Sequence, residues 1–430
     1  MIDFNQHINT LMSGYIKAAK ASVLSKVAII FASFAVLWFP GHILDKTQFG
    51  LFMIALTYVT MIGILLGGAF LSPILYHASR IEGEGGDRDI GKAMTGRALS
   101  WIIFYAGLIM IATVLGADFI ENLFGENGLK KWLIYLLPMI MFEPLKRILA
   151  IWHRAQQEVQ LSITYNEIWP NALKIVFLFA VYLLFPNAEG IAIAMNLSLI
   201  IPFIMIFQKE PVMPNIGGKV YTRWDVEYGS KNLAAYALLQ QSRGIDLFLV
   251  GAMASVGAAA DYAVASRLGR FLLIGKQALS QLLAPRLGAF FGQKDQTQAA
   301  TEFKIIRSVG LAVAVSGAIG VLLLGEWAAS LFCTSCYNAY PILLLLSAAF
   351  IMDTAFGSAE DYTTMAGYAG WNLVLGIISA VIMVVASFIL IPLMGGEGAA
   401  LAVLGGIVAR GAGMIAVIYK LQGLLLVTLS

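Results

Sequence analysis

Apolar runs of about 18 residues or more follow one another along the chain, broken by Gly, Pro and clusters of charge. They cover residues 22–40, 50–72, 95–117, 132–152, 162–185, 189–207, 232–253, 258–284, 305–325, 341–358, 371–393 and 398–419. A helix of about 20 apolar residues crosses a bilayer, because the hydrocarbon core is ~30 Å thick and each residue rises ~1.5 Å. In lipid every backbone N–H and C=O must be satisfied, which leaves helices or closed barrels. Barrel strands would alternate with period two over ~10 residues, and these runs are apolar on all sides. The pattern predicts an all-α polytopic membrane protein with twelve transmembrane helices.

Composition narrows the function classes. Only 12% of the 430 residues are charged, against ~25% in soluble domains. Two cysteines give no disulfide framework. There is no HExxH, no GxxxxGK[ST] and no strand-borne GxGxxG, so neither zinc chemistry nor ATP hydrolysis has a carrier. A non-enzyme without metal or cofactor is expected. The first twenty residues lack a basic region leading into an apolar core, so no cleaved signal is expected. A net charge of +3 is no argument for nucleic acid.

Lys and Arg set the orientation. With a cytoplasmic N-terminus, the inner segments hold Lys17, Lys20, Lys26, Arg80, Arg88, Lys92, Arg97, Arg154, Lys209, Lys219, Arg223, Lys231, Arg286, Lys294, Lys304, Arg307 and Lys420, seventeen in all. The outer loops hold three, Lys46, Lys130 and Lys131. This bias predicts that both termini are cytoplasmic. One inner loop, Gly357–Tyr368, has no Lys or Arg.

The linker Gln208–Lys231, with Pro211, Pro214, Gly217 and Gly218, falls after six runs and before six more. The expected organisation is an N-terminal six-helix lobe (1–207), a cytoplasmic linker (208–231) and a C-terminal six-helix lobe (232–430), the lobes related by a pseudo-two-fold. The restarts at Phe52 and Tyr262 are 210 residues apart and read alike. Internal repeats of this kind are common in secondary transporters, whose substrate site lies between the repeats.

Apart from Lys26, Arg97 and Arg307 at the inner ends of their runs, eight basic residues fall inside the runs: Lys146, Arg147, Lys174, Arg243, Arg267, Arg270, Lys276 and Arg410. Each costs ~2.5–3.5 kcal/mol at mid-bilayer, so each should face a bundle interior or a cavity. At about 100° per residue they share faces with other polar groups. The fourth run aligns Glu143, Lys146, Arg147 and Arg154, and the fifth Gln160, Glu167, Asn171 and Lys174. The seventh aligns Asn232, Tyr236, Gln240, Arg243 and Asp246, and the eighth Arg267, Arg270, Gln277 and Gln281. Lys276 falls on the opposite face, where snorkelling to the interface is expected.

The deep bases are therefore Lys146, Arg147, Lys174, Arg243, Arg267, Arg270 and Arg410, and the deep acids Glu143, Glu167, Asp246 and Asp353. One reading makes these groups internal ion pairs, Glu143 with Arg147 and Arg243 with Asp246. The excess of bases favours a cationic cavity for a phosphate or acidic sugar, which Arg binds bidentately. The four acids are candidates for coupling to H⁺ or Na⁺, with salt-bridging as the alternative. Pro138, Pro144 and Pro170 stand beside the charges, where kinks would suit either a moving gate or a static bend. Cys333 and Cys336, in an outer loop, form either a local disulfide or two idle thiols. Four scattered histidines, His7, His42, His77 and His153, have no metal-ligand spacing.

The stretch Arg243–Asp295 resembles the seventh and eighth helices of polysaccharide flippases of the multidrug/oligosaccharidyl-lipid/polysaccharide exporter superfamily. The ending LIPLMGGEGAALAVLGGIVARG (Leu390–Gly411) and the opening Phe49-Gly50 are similar to that family as well. The resemblance implies two six-helix lobes in a V and alternating access coupled to an ion gradient. It implies an undecaprenyl-pyrophosphate-linked oligosaccharide (an O-antigen or exopolysaccharide unit) as cargo, in the bacterial cytoplasmic membrane. Membrane lipids, a polysaccharide polymerase and export proteins would be its partners. Multidrug exporters of the superfamily carry an acid in the first helix, and this chain has only Lys26 there. Peptidoglycan-precursor flippases have two further helices and basic residues in the first two, both missing here. A membrane assembly protein without transport would pair its charges one to one.

Overall fold

A computed structural model of the protein describes residues 24, 28–83, 88–156, 158–215, 244–292, 296–333, 335–366 and 368–422. These residues form helices and the turns between them, with no strand among the described residues. The first helices are α1 (Ala28–Ile43), α2 (Lys46–Gly83), α3 (Arg88–Phe124), α4 (Leu129–Ala155), α5 (Val159–Leu184) and α6 (Ala188–Lys209). They are followed by α7 (Ile245–Met253), α8 (Val256–Gly269), α9 (Leu273–Gly292), α10 (Gln296–Phe332) and α11 (Ala339–Ala355). The last are α12 (Ala359–Met365), α13 (Ala369–Met394) and α14 (Gly396–Gln422). Among the described residues eight helical segments are long and apolar enough to cross a membrane, and α1 is a shorter apolar helix.

Several helices outrun their apolar cores. α3 extends from Arg88 to Phe124, whereas its uncharged stretch is confined to residues 98–117. Polar first turns continue the helix where water or a phosphate head group replaces lipid. The turns carry ordinary helix punctuation. Asn187 caps α6 by accepting from Gly190 N at 2.7 Å, and Ser255 caps α8 by accepting from Ala258 N at 3.0 Å. Gly395, between α13 and α14, has φ 59°, a left-handed value that glycine adopts without a Cβ penalty.

The chain divides into two compact units. One comprises Met1–Asp45 and Ala55–Ala237, and the other Lys46–Ile54 and Leu238–Ser430. α2 thus begins in the second unit and continues in the first. In the first unit α4 packs against α3, α5 and α6, around Leu99, Ile102, Ile148, Leu149 and Trp152. In the second unit α11 packs on α8, α10 and α14, and α13 lies along α14. Its buried core includes Leu283, Phe303, Tyr362 and Met414.

Close approach of α2 to α8 rests on Gly50. A Cβ there would stand 2.3 Å from the carbonyl oxygen of Val256, a backbone atom that cannot turn aside. Gly50→Ala is therefore expected to cost about 1–3 kcal/mol through overpacking, measured as a lower Tm of the purified protein. Cys333 and Cys336 are joined by a disulfide with their Cα atoms 5.3 Å apart, the first of the two arrangements open in the sequence.

Candidate functional site

The first unit gathers its charge where α4 passes α5. Glu143, Lys146 and Arg147 lie on consecutive turns of α4. Lys146 is 2% exposed, and its Nζ stands 3.0 Å from Glu143 Oε2. The same Glu143 feels the charges of Arg147 and Lys174. One carboxylate thus faces three cations. The partner of Glu143 is Lys146 at i,i+3, whereas the sequence pointed to Arg147 at i,i+4. The Nη1 of Arg147 is buried and has no hydrogen-bond partner among the described residues. On α2, Gly63 and Gly67 leave room beside Glu143, Pro144 and Arg147.

Local backbone chemistry completes this cluster. α4 runs unbroken through Pro138 and Pro144. α5 is interrupted instead by a π turn, Thr164–Ile168, immediately before Pro170. Proline has no N–H to give to the carbonyl four residues back. That carbonyl belongs to Asn166, and Lys146 Nζ donates to it at 3.2 Å. Pro170 therefore frees an acceptor that a buried ammonium uses. The π turn also changes the helix phase, since i→i+5 bonding turns each residue through less than the α angle. Gln160, in the first turn of α5, is exposed, while Glu167, Asn171 and Lys174 are half-buried. Arg154, aligned with the cluster on an ideal helical wheel, is exposed as well.

The second unit holds a separate polar group around α8. A cavity of about 70 Å³ is lined by Asp246, Tyr262, Ser266, Arg270 and Gln277, with Phe350 on its apolar side. Asp246 is buried. It accepts from the Tyr262 hydroxyl at 2.7 Å and from the Leu247 N–H at 2.8 Å, and it feels the charge of Arg270. Arg267 is half-buried, with Arg270 as its like-charged neighbour. No carboxylate pairs with Arg267 among the described residues. Arg243, Asn232, Tyr236, Gln240, the side chain of Gln281 and the linker from residue 216 onward lie outside the described residues.

Other cations predicted from the sequence find acids. Lys276 Nζ is 2.7 Å from Asp353 Oδ2 and 3.1 Å from the Asp353 carbonyl oxygen. The snorkelling expected of Lys276 is thus replaced by an ion pair inside the unit. The reason is a 3₁₀ turn, Arg270–Leu272, between α8 and α9. It advances each residue ~120° instead of ~100°, so residues beyond it leave the phase an unbroken helix would impose. Arg410 Nη2 is 2.8 Å from Glu360 Oε2.

Sequence reasoning missed Glu360 and Asp361 on α12, although they sit in the inner loop without Lys or Arg. That acidic bias was the available signal. Asp361 accepts from Ser280. It also missed Asp261, which is 3% exposed and 2.9 Å from Lys46. A third omission is a knot at Glu210, which takes ion pairs from Arg88 at 2.8 Å and Lys92 at 3.7 Å and a hydrogen bond from Trp152 Nε1 at 3.1 Å.

Membrane-length helices with charge held among them form a polytopic membrane architecture. The fold is shared with transporters of solved structure. An inward-facing multidrug resistance MATE family transporter of the MOP superfamily matches with a TM-score of 0.77 at 16% identity, over 94% of this chain and 98% of that one. The lipid II flippase MurJ, in an inward closed conformation, matches with a TM-score of 0.73 at 14% identity, over 95% and 87%. A MOP superfamily transporter from Pyrococcus furiosus, described as having a binding pocket of reverse polarity, matches with a TM-score of 0.66 at 15% identity, over 95% and 96%. No protein-family model matches the chain, and no curated protein matches it. At these identities the likeness is one of fold.

Proposed function

We propose that the protein is a flippase of the MOP superfamily that moves an undecaprenyl-pyrophosphate-linked oligosaccharide from the inner to the outer leaflet of the bacterial cytoplasmic membrane, for polysaccharide synthesis. The observation that carries this reading is Arg267, a membrane-embedded guanidinium without a carboxylate partner among the described residues and beside a second Arg. Arg267 therefore calls for an anion, and a pyrophosphate supplies one with oxygens spaced for bidentate contact. Arg147, with its buried donor, adds a cationic contact in the other unit. Lys174 and Arg243 are assigned to the same substrate-binding set in this reading, and Lys146, buried and paired with Glu143, joins it only on release from that acid. Arg410 has an acid of its own, and its contact with cargo requires release from Glu360.

The layout we propose is twelve helices in two six-helix lobes, 1–207 and 232–430, with both termini cytoplasmic and alternating access between leaflets. Coupling to an ion gradient is assigned to Asp246. It is buried against a cavity large enough for water, which occupies ~30 Å³ per molecule in the liquid. Glu143 and Asp353 are held in ion pairs. That pairing favours a structural role for those two acids, the one respect in which the assembly-protein reading gains support.

The lipid-linked intermediates of cells lacking this protein test the function directly. Accumulation of an undecaprenyl-pyrophosphate oligosaccharide is the expected result. Accumulation of a peptide-bearing peptidoglycan precursor would move the protein to the lipid II branch. Unchanged lipid pools with increased drug sensitivity would make it a multidrug exporter.

A further inference from the structure

The outer surface of α3 carries an ordered row of side chains that the transport reading does not use. Residues 98–117 contain no charge, and Arg97 is the last cation before that stretch. Arg97, Trp101 and Tyr105 are spaced at i, i+4 and i+8, so they share one helical face. The Arg97 guanidinium lies 5.8 Å from the Trp101 ring centroid. Trp101 in turn stacks on Tyr105, with centroids 5.6 Å apart and planes 18° from parallel. Below the row the exposed face continues with Phe104, Leu108 and Leu115.

The two preceding cations of α3 are accounted for, since Arg88 and Lys92 pair with Glu210. Arg97 has no carboxylate among the described residues. A guanidinium held over an indole face keeps its in-plane N–H fork, which matches two oxygens of a phosphate. Helical side chains lean toward the helix N-terminus, which brings Arg97 to the polar border of the apolar stretch. Trp and Tyr settle at that same depth in a bilayer.

We propose that Arg97, Trp101 and Tyr105 form a binding site for the phosphate of an acidic phospholipid of the surrounding bilayer, with its acyl chains along the exposed face of α3. Charge complementarity selects the occupant. A net-negative head group gains the guanidinium without bringing a choline or ethanolamine cation beside it. Aromatic anchoring alone would accept every lipid equally. This inference is independent of the cargo, so the two readings stand or fall separately.

The test uses the full chain reconstituted in phosphatidylcholine vesicles that contain a fixed fraction of brominated lipid, either phosphatidylglycerol or phosphatidylcholine. The Trp101 signal is the difference between the parent protein and Trp101→Phe. Quenching of that signal should report about fivefold local enrichment of the acidic lipid, the order expected for one basic residue at a membrane surface. Arg97→Gln should reduce the enrichment to parity, and Arg97→Lys should retain part of it. Equal quenching by the two lipids in the parent protein would overturn the proposal. So would a preference that Arg97→Gln leaves unchanged.

Discussion

Replacing Arg267 and Arg270 together by Gln should abolish polysaccharide export while the protein still reaches the membrane. A hydrogen bond to a charged group is worth about 1.5–3 kcal/mol. Losing two such contacts lowers cargo binding by about 100-fold or more. The single variants should differ. Arg267 has no carboxylate to leave behind, so Arg267→Gln should reduce export with little change in Tm. Arg270 shares a cavity with buried Asp246, so Arg270→Gln strips that carboxylate of a nearby cation and should lower Tm as well. Surface polysaccharide and membrane-fraction protein, measured in the same cells, separate the effects. Normal export by the double variant would end the proposal.

The second large effect is expected on stability. Glu143 faces Lys146, Arg147 and Lys174. Glu143→Gln leaves three like charges without that acid, and breaking a buried pair from one side costs about 3–5 kcal/mol. Removing a cation at the same time, in Glu143→Gln/Lys146→Gln, should recover most of the loss. A coupling carboxylate would behave otherwise. Its neutral amide would resemble the protonated form, keep Tm, and remove the dependence of reconstituted transport on an imposed H⁺ or Na⁺ gradient. An unchanged Tm in Glu143→Gln would therefore sink the structural assignment.

How far the sequence reached can be followed along single helices. The apolar runs pointed to an all-helical chain because lipid permits few alternatives for a backbone of that length. The runs did not mark where helices end, since α3 and α10 continue through polar turns that hydropathy discards. The charge stripe on α4 was legible because α4 is one continuous helix, so a fixed angle per residue held from Glu143 to Arg147. On α5 and α8 the same arithmetic drifted. A π turn and a 3₁₀ turn alter the angle locally, and their hydrogen bonding leaves no signature in a list of side chains. Lys276 was misjudged for that reason. Pairing partners were the least legible feature. Asp261 for Lys46 and Glu360 for Arg410 come from distant points of the chain, and only folding brings them within reach.

Pro170 contributes no charge and no polar side chain, yet it specifies where one charge sits. By leaving the Asn166 carbonyl without its usual amide, it creates a fixed dipole for the Lys146 ammonium on the neighbouring helix. The address of a buried cation is thus written partly in an imino acid on a different helix. Any residue at position 170 that restores an N–H would compete with the lysine for the same oxygen, so the electrostatics of this unit are sensitive to a substitution that alters no formal charge.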